Sequence, residues 1–322
     1  MEENNISPNS VKAFFLAARP KTLSGAAVPV MIGIALAIHD MGWTRFVAPV
    51  AGNWYQMPLI SAFLCFLFAM VMQIDANFVN DYFDCVRGKD DRATRLGPRR
   101  ACSEGWVTLP AMRRSLIVTT TMACLVGLPL IYFGGWEMIL VGVACVLFCF
   151  LYTTYLAQHG LGDVLVLIFF GIVPVCMTYY VTMPSTVQTI TLQVVWVSIA
   201  CGLVIDTLLI VNNYRDYEQD KKVGKRTLIV YIGRHRAEVL YHFLGASAAI
   251  IMLLGLVPAH SGLVSWTLII LCFIPYNLLH DHTHALMMRI GHGRELNKVL
   301  GMTARNIFIF GLTSVIAILF LS

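Results

Sequence analysis

Two short stretches of this sequence hold the side chains best suited to chemistry. The first contains Asn80, Asp84 and Asp90, the second Asn212, Asp216 and Asp220. Within the first, Gln73, Asn77, Asn80 and Asp84 follow one another at steps of 4, 3 and 4 residues, which places them on one face of a helix. Asn212, Asp216 and Asp220 are four apart and share a face in the same way. Asp90 lies past Gly88, on a loop or a broken turn. All six carry oxygen donors, and Arg87, Lys89, Arg215 and Lys225 stand close by. Oxygen donors suit Mg²⁺, which is usually held by one or two carboxylates together with substrate phosphates. A diphosphate brought next to carboxylates needs a metal ion between them. The neighbouring cations complete an anion clamp, and such a clamp stabilises charge developing on a leaving group. One such stretch alone reads as solvated surface charge. Two alike, each ending an apolar block, weigh against that reading, because polar groups at membrane depth are costly and tend to mark function.

The elements that position these stretches are apolar blocks. Of 322 residues, 58% are hydrophobic and 13% charged, against roughly 25% charged in soluble domains. Blocks of about 20 residues match the thickness of a bilayer. Nine spans are predicted, near 14–38, 59–80, 115–133, 138–156, 164–182, 190–212, 239–257, 263–280 and 306–321. Each must be a helix to satisfy its own backbone in lipid. The net charge of +5 therefore reports topology before it reports nucleic acid, and no nucleic-acid or protein partner is implied. Basic residues crowd the segments after spans two, six and eight, while the other side carries Arg45 alone. Nine spans put all three basic loops and the N-terminus on one side, which the positive-inside rule makes cytoplasmic. The polar start MEENNIS shows no cleavable signal pattern. The nine cysteines form no CxxC pair and read as small buried hydrophobes. The fold class is thus an all-α polytopic membrane protein, about nine helices around a central cavity. It forms a single domain over residues 1–322. Asn80-Asp81-Tyr82-Phe83-Asp84 and Asn212-Asn213-Tyr214-Arg215-Asp216 read as an internal repeat, dividing the chain into halves of roughly 12–160 and 161–322. Sites often lie where such repeats face one another.

Other residues draw a plainer reading. His280 and His284 have the i, i+4 spacing of two metal ligands, but sit at a predicted helix end, where a non-metal interfacial role is expected. Tyr152, Tyr155, Tyr179 and Tyr180 can offer π faces to a cation, though interfacial anchoring is commoner. Asp75 and Asp206 are intramembrane acids that could act on an acceptor hydroxyl, though hydration or a helix–helix hydrogen bond is the commoner reading, and they stay outside the catalytic set.

The Asn-x-x-x-Asp stretch with its downstream Asp90, followed by Asp216-x-x-x-Asp220, resembles the UbiA-type intramembrane prenyltransferase family. Further strings are similar to the 1,4-dihydroxy-2-naphthoate branch of that family. They are Gly97-Pro98-Arg99-Arg100, Gly160-Leu161-Gly162-Asp163, Gly224-Lys225-Arg226-Thr227-Leu228 and Leu296-Asn297-Lys298-Val299-Leu300. Ala18-Arg19-Pro20-Lys21-Thr22 resembles the family's approach to its first helix. Gly88 stands where many members have a third aspartate, and Asp90 takes its place, as in naphthoate enzymes. The resemblance implies prenyl transfer from a polyprenyl diphosphate to 1,4-dihydroxy-2-naphthoate in menaquinone biosynthesis, with loss of CO₂ and diphosphate. It implies Mg²⁺ held by Asn80, Asp84, Asp90, Asp216 and Asp220 with Asn212 in support, and diphosphate held by Arg87, Lys89, Arg215 and Lys225. Arg100 and Asn77 are the expected contacts to the acceptor, Arg100 because carboxylates favour arginine. The expected setting is a prokaryotic cytoplasmic membrane, with the mouth of the site cytoplasmic. A different aromatic acceptor, or a secondary transporter with an internal repeat, are the rival readings.

Overall fold

The computed structural model describes residues 6–50, 52–88, 95–256 and 263–320. Among them, nine helices are long and apolar enough to cross a membrane, and every long element is helical. They are α1 (Leu23–Met41), α2 (Pro58–Val86), α3 (Leu109–Gly127), α4 (Glu137–Thr154), α5 (Gly162–Thr182), α6 (Leu192–Arg215), α7 (Arg234–Leu256), α8 (Leu263–Ile290) and α9 (Leu296–Phe320). This is the architecture expected of an integral membrane protein.

Several helices outrun their predicted spans. Hydropathy stops α2 near residue 80, but its hydrogen bonds carry the helix to Val86, so Asn80 and Asp84 are both helical. At the other end of the chain α8 runs to Ile290 and α9 begins at Leu296. The reason is that a helix needs no lipid to continue once its backbone ladder is running. Polar residues on these extensions are therefore positioned as rigidly as the apolar ones.

α6 is the spine. Two-thirds of its apolar window (67%) is buried, whereas α4 buries only 6% of its own and lines the cavity along one face. α6 packs on α5, α7 and α9, and α1 packs on α5 and α9. The core between them includes Val28, Ile32, Leu36, Val204, Phe273 and Phe310. In lipid there is little hydrophobic force between helices, and close contact depends on small residues. Here a Cβ on Gly171 would lie 2.5 Å from the Gly202 Cα, so α5 and α6 touch backbone to backbone. At that contact α5 loosens into a π-helical stretch, Leu167–Ile172, a departure found mostly at functional sites. Asp75 is fully buried and accepts hydrogen bonds from Thr119 and Thr120, tying α2 to α3. Tyr179 donates to Asp40 across 2.6 Å, tying α5 to α1.

Candidate active site

The bundle encloses a cavity of about 690 Å³, which reaches from the two aspartate motifs down to Leu130, Met138 and Phe169. Asn80 and Asp84 of α2, Asn212 near the end of α6, and Asp216 and Asp220 beyond it all line it. α6 ends at Arg215, and a short helix, Tyr217–Lys222, follows at once. The amides of Asp216 and Asp220 still bond to the carbonyls of Asn212 and Asp216. That continuity keeps all three side chains on the face their spacing indicates. Asp90 and Lys89 lie outside the described residues.

Each described carboxylate is held by a cation. Asp84 pairs with Arg100 at 2.8 Å, Asp216 with Arg215 at 2.6 Å, and Asp220 with Lys225 at 3.2 Å. Asn80 accepts a hydrogen bond from Thr153 Oγ1 at 2.5 Å, and Asn212 accepts one from Arg215 at 2.8 Å. Burial pushes the Asp220 carboxyl above the usual carboxylate range, while the Lys225 ammonium opposes the shift. Among the described residues, no three His, Cys, Asp or Glu side chains close to metal-ligand spacing. The set nevertheless fits Mg²⁺, because that ion takes few carboxylates and completes its shell with water and substrate phosphate.

Two expected contacts are placed elsewhere. Arg87 does not line the cavity. It donates to the Thr154 and Thr153 carbonyls at 2.9 and 3.3 Å, and so caps the end of α4, where unpaired carbonyls favour a cation. Asn77 also lies off the cavity. Its amide donates to Ala18 O at 2.8 Å and Thr22 Oγ1 at 2.9 Å, because helix α2 turns that position toward the chain break before α1. Arg100 does line the cavity, but as the partner of Asp84. Arg215 and Lys225 line it as expected.

Spacing alone did not single out several site residues. Arg19 lines the cavity from a left-handed backbone (φ 50°) just ahead of Pro20. Non-glycine residues rarely adopt this conformation, and it clusters at functional positions. Asn77 bonds to the residues on either side of that break, so it supports Arg19. Asp81 is fully buried and accepts from the amides of Ala101 and Cys102 at 2.9 and 3.1 Å. It thereby fixes the loop that presents Arg100. The same loop crosses the site from the other side, where Asn297 donates to Leu96 O at 2.8 Å and accepts from Arg215 at 2.9 Å. Asp81 sits inside the first motif, but its partners Ala101 and Cys102 are 20 and 21 residues away, beyond the reach of spacing.

The histidine rings form a stack with Tyr241. His280 is buried, its ring 4.8 Å from that of Tyr241, and His242 lies 4.9 Å from His284.

A nine-helix bundle enclosing two facing aspartate motifs over an apolar cavity defines a class, and the comparisons agree with it. The UbiA prenyltransferase family model matches residues 26–289, and the chain belongs to that family. It is an intramembrane prenyltransferase, and the transporter reading falls away. The chain is 32% identical over 275 residues to the 1,4-dihydroxy-2-naphthoate octaprenyltransferase of Escherichia coli, covering 81% of each. Its fold is similar to that of a UbiA homologue from Aeropyrum pernix, with a TM-score of 0.65 and 14% identity over 90% of this chain and 96% of that one. It is also similar to a UbiA homologue from Archaeoglobus fulgidus solved bound to DMAPP and Mg²⁺, with a TM-score of 0.57 and 14% identity over 94% and 98%.

Proposed function

We propose that this enzyme transfers a polyprenyl group from a polyprenyl diphosphate to 1,4-dihydroxy-2-naphthoate, releasing CO₂ and diphosphate and forming demethylmenaquinol. The observation that carries the reading is the 32% identity to a naphthoate octaprenyltransferase across four-fifths of both chains. The structural neighbour bound to DMAPP and Mg²⁺ supports Mg²⁺ as the cofactor. Asn80, Asp84, Asp216 and Asp220 would hold the metal with Asn212 in support, and Asp90, outside the described residues, belongs to the same set. Bound there, Mg²⁺ would supply positive charge that offsets charge developing on the leaving diphosphate.

The chain's own residues do the rest. Each carboxylate is already matched to a cation, so substrate binding exchanges partners. Arg100, Arg215 and Lys225 turn to phosphate oxygens as the acids are recruited elsewhere. The C1–O bond of the prenyl donor breaks, and its electron pair leaves with diphosphate. The allylic cation meets the electron-rich naphthalene ring in the apolar cavity, which excludes water. The prenyl tail occupies the deeper part lined by Leu130, Met138 and Phe169. The chain acts as one domain of two repeated halves. Its N-terminus and site mouth lie on the cytoplasmic side of a prokaryotic membrane, as the basic loops indicate.

The test is an assay of purified protein with Mg²⁺, labelled polyprenyl diphosphate and 1,4-dihydroxy-2-naphthoate. A lipid-soluble quinol and CO₂, both abolished by EDTA and restored by Mg²⁺, are expected. Prenylation of another aromatic acceptor with none of the naphthoate would overturn the acceptor.

A further inference from the structure

Below the aspartate motifs lie two acids that no step above uses. Asp163 opens α5 and lines the cavity, and it is 9% exposed. Asp206, on α6, is 6% exposed. The first turn of α5 packs on α6, and the two carboxyls are close enough to act on one another's charge. Each has an Oδ1 that is buried and has no hydrogen-bond partner among the described residues. Tyr152 lines the same pocket and lies within electrostatic reach of both acids. Its hydroxyl comes within 3.8 Å of where a Gly162 Cβ would stand, which places the tyrosine next to the residue preceding Asp163.

A buried carboxyl oxygen left without a hydrogen-bond partner is costly. Two such acids on packed elements, one of them lining the cavity, call for a ligand that donates hydrogen bonds. The prenyl donor cannot supply one, since its diphosphate has only acceptors and its tail is hydrocarbon. An aromatic acceptor with a ring hydroxyl can. We propose that Asp163 is the catalytic base that takes the hydroxyl proton of the aromatic acceptor, and that Asp206 is a positioning residue behind it. The proposal rests on the reading of a hydroxylated aromatic acceptor given above.

The step balances. The acceptor O–H bond breaks and its proton passes to an Asp163 oxygen, leaving a naphtholate whose charge is shared with the ring carbon bearing the carboxylate. That carbon forms a bond to C1 of the allylic cation left once the C1–O bond has broken and diphosphate has departed with the pair. The carbon–carboxylate bond then breaks, CO₂ departs, and its pair restores the aromatic ring. Asp163 returns the proton to the ring oxygen. No oxidant or reductant is needed, and no net proton is gained or lost.

The experiment uses full-length protein in detergent with Mg²⁺, polyprenyl diphosphate and 1,4-dihydroxy-2-naphthoate. Asp163→Asn is expected to lower kcat by about 100-fold, within the range of general-base contributions, with the KM for prenyl diphosphate unchanged. With a ring-halogenated naphthoate, whose hydroxyl is more acidic, the deficit relative to wild type should narrow. A purely structural role would leave that ratio constant. Asp206→Asn should show a smaller kcat loss, about tenfold, narrowing in the same way. Asp163→Glu restores a carboxyl and should run at least about ten times faster than Asp163→Asn. If Asp163→Asn does not fold, the Glu and Asp206→Asn variants decide, and a constant deficit with both acceptors in both overturns the proposal. So does an Asp163→Asn enzyme with kcat within threefold of wild type. If wild-type protein does not prenylate the naphthoate at all, the functional reading itself has failed; a working wild type with a normal Asp163→Asn variant overturns this inference alone.

Discussion

The two repeated motifs hold their acids in different ways. Asn80-Asp81-Tyr82-Phe83-Asp84 and Asn212-Asn213-Tyr214-Arg215-Asp216 agree at three of five positions, but Asp81 stands where the second half has Asn213 and Phe83 where it has Arg215. In the second half the neutralising cation is built into the motif. Arg215 is 2% exposed and bonds Asp216, Asn212 and Asn297 at once. In the first half Phe83 packs against Phe150, and the cation for Asp84 comes from Arg100 on a loop that Asp81 holds. The motifs also end differently. Gly88, with φ 64°, stops α2 four residues after Asp84, whereas a fresh turn of helix puts Asp220 four residues after Asp216. The second motif is thus a preassembled half-site, and the first is completed by distant parts of the chain.

Removal of the acids should give the largest effects and separate the halves. Asp84→Ala and Asp216→Ala should each cut turnover by at least about 100-fold, read in the prenyl-transfer assay. Thermal unfolding should tell them apart. Asp216→Ala strands the buried Arg215 and should cost about 3–5 kcal/mol. Asp84→Ala leaves a less buried Arg100 and should cost far less. Equal melting temperatures would break the contrast.

Asp81→Ala comes next. It removes two charge-assisted bonds to the Ala101 and Cys102 amides, each worth about 1.5–3 kcal/mol. Limited proteolysis should show the loop loosened, and the prenyl diphosphate KM should rise about tenfold, the change that 1.4 kcal/mol produces. The clamp gives a sharper contrast. Lys225→Ala should raise that KM about tenfold, whereas Arg87→Ala, a cap on α4, should change it by less than about threefold and cost only about 1 kcal/mol of stability. The smallest effect belongs to Gly88→Ala. Its left-handed backbone should cost about 1–2 kcal/mol with turnover close to wild type.

Much of this was legible beforehand, and the reasons can be traced to single residues. Apolar run length determined the nine spans, because lipid leaves a lone segment no other way to satisfy its backbone. Fourfold spacing determined that Asn212, Asp216 and Asp220 share a face, since helical geometry is local. The paired motifs determined the class of chemistry. The helix ends were less legible, because hydropathy fades at residue 80 while the hydrogen bonds of α2 do not. Only the tertiary structure decided which cation serves which acid. Arg87 is three residues from Asp84 in sequence but reaches across to the carbonyls of α4, while Arg100 arrives from a loop. It also decided that Asp163 and Asp206, 43 positions apart in the chain, lie on elements that pack together. Local geometry follows from neighbouring residues and is written in their order. Ion pairs and buried polar groups depend on which distant surfaces pack together, and that is settled only when the whole bundle closes.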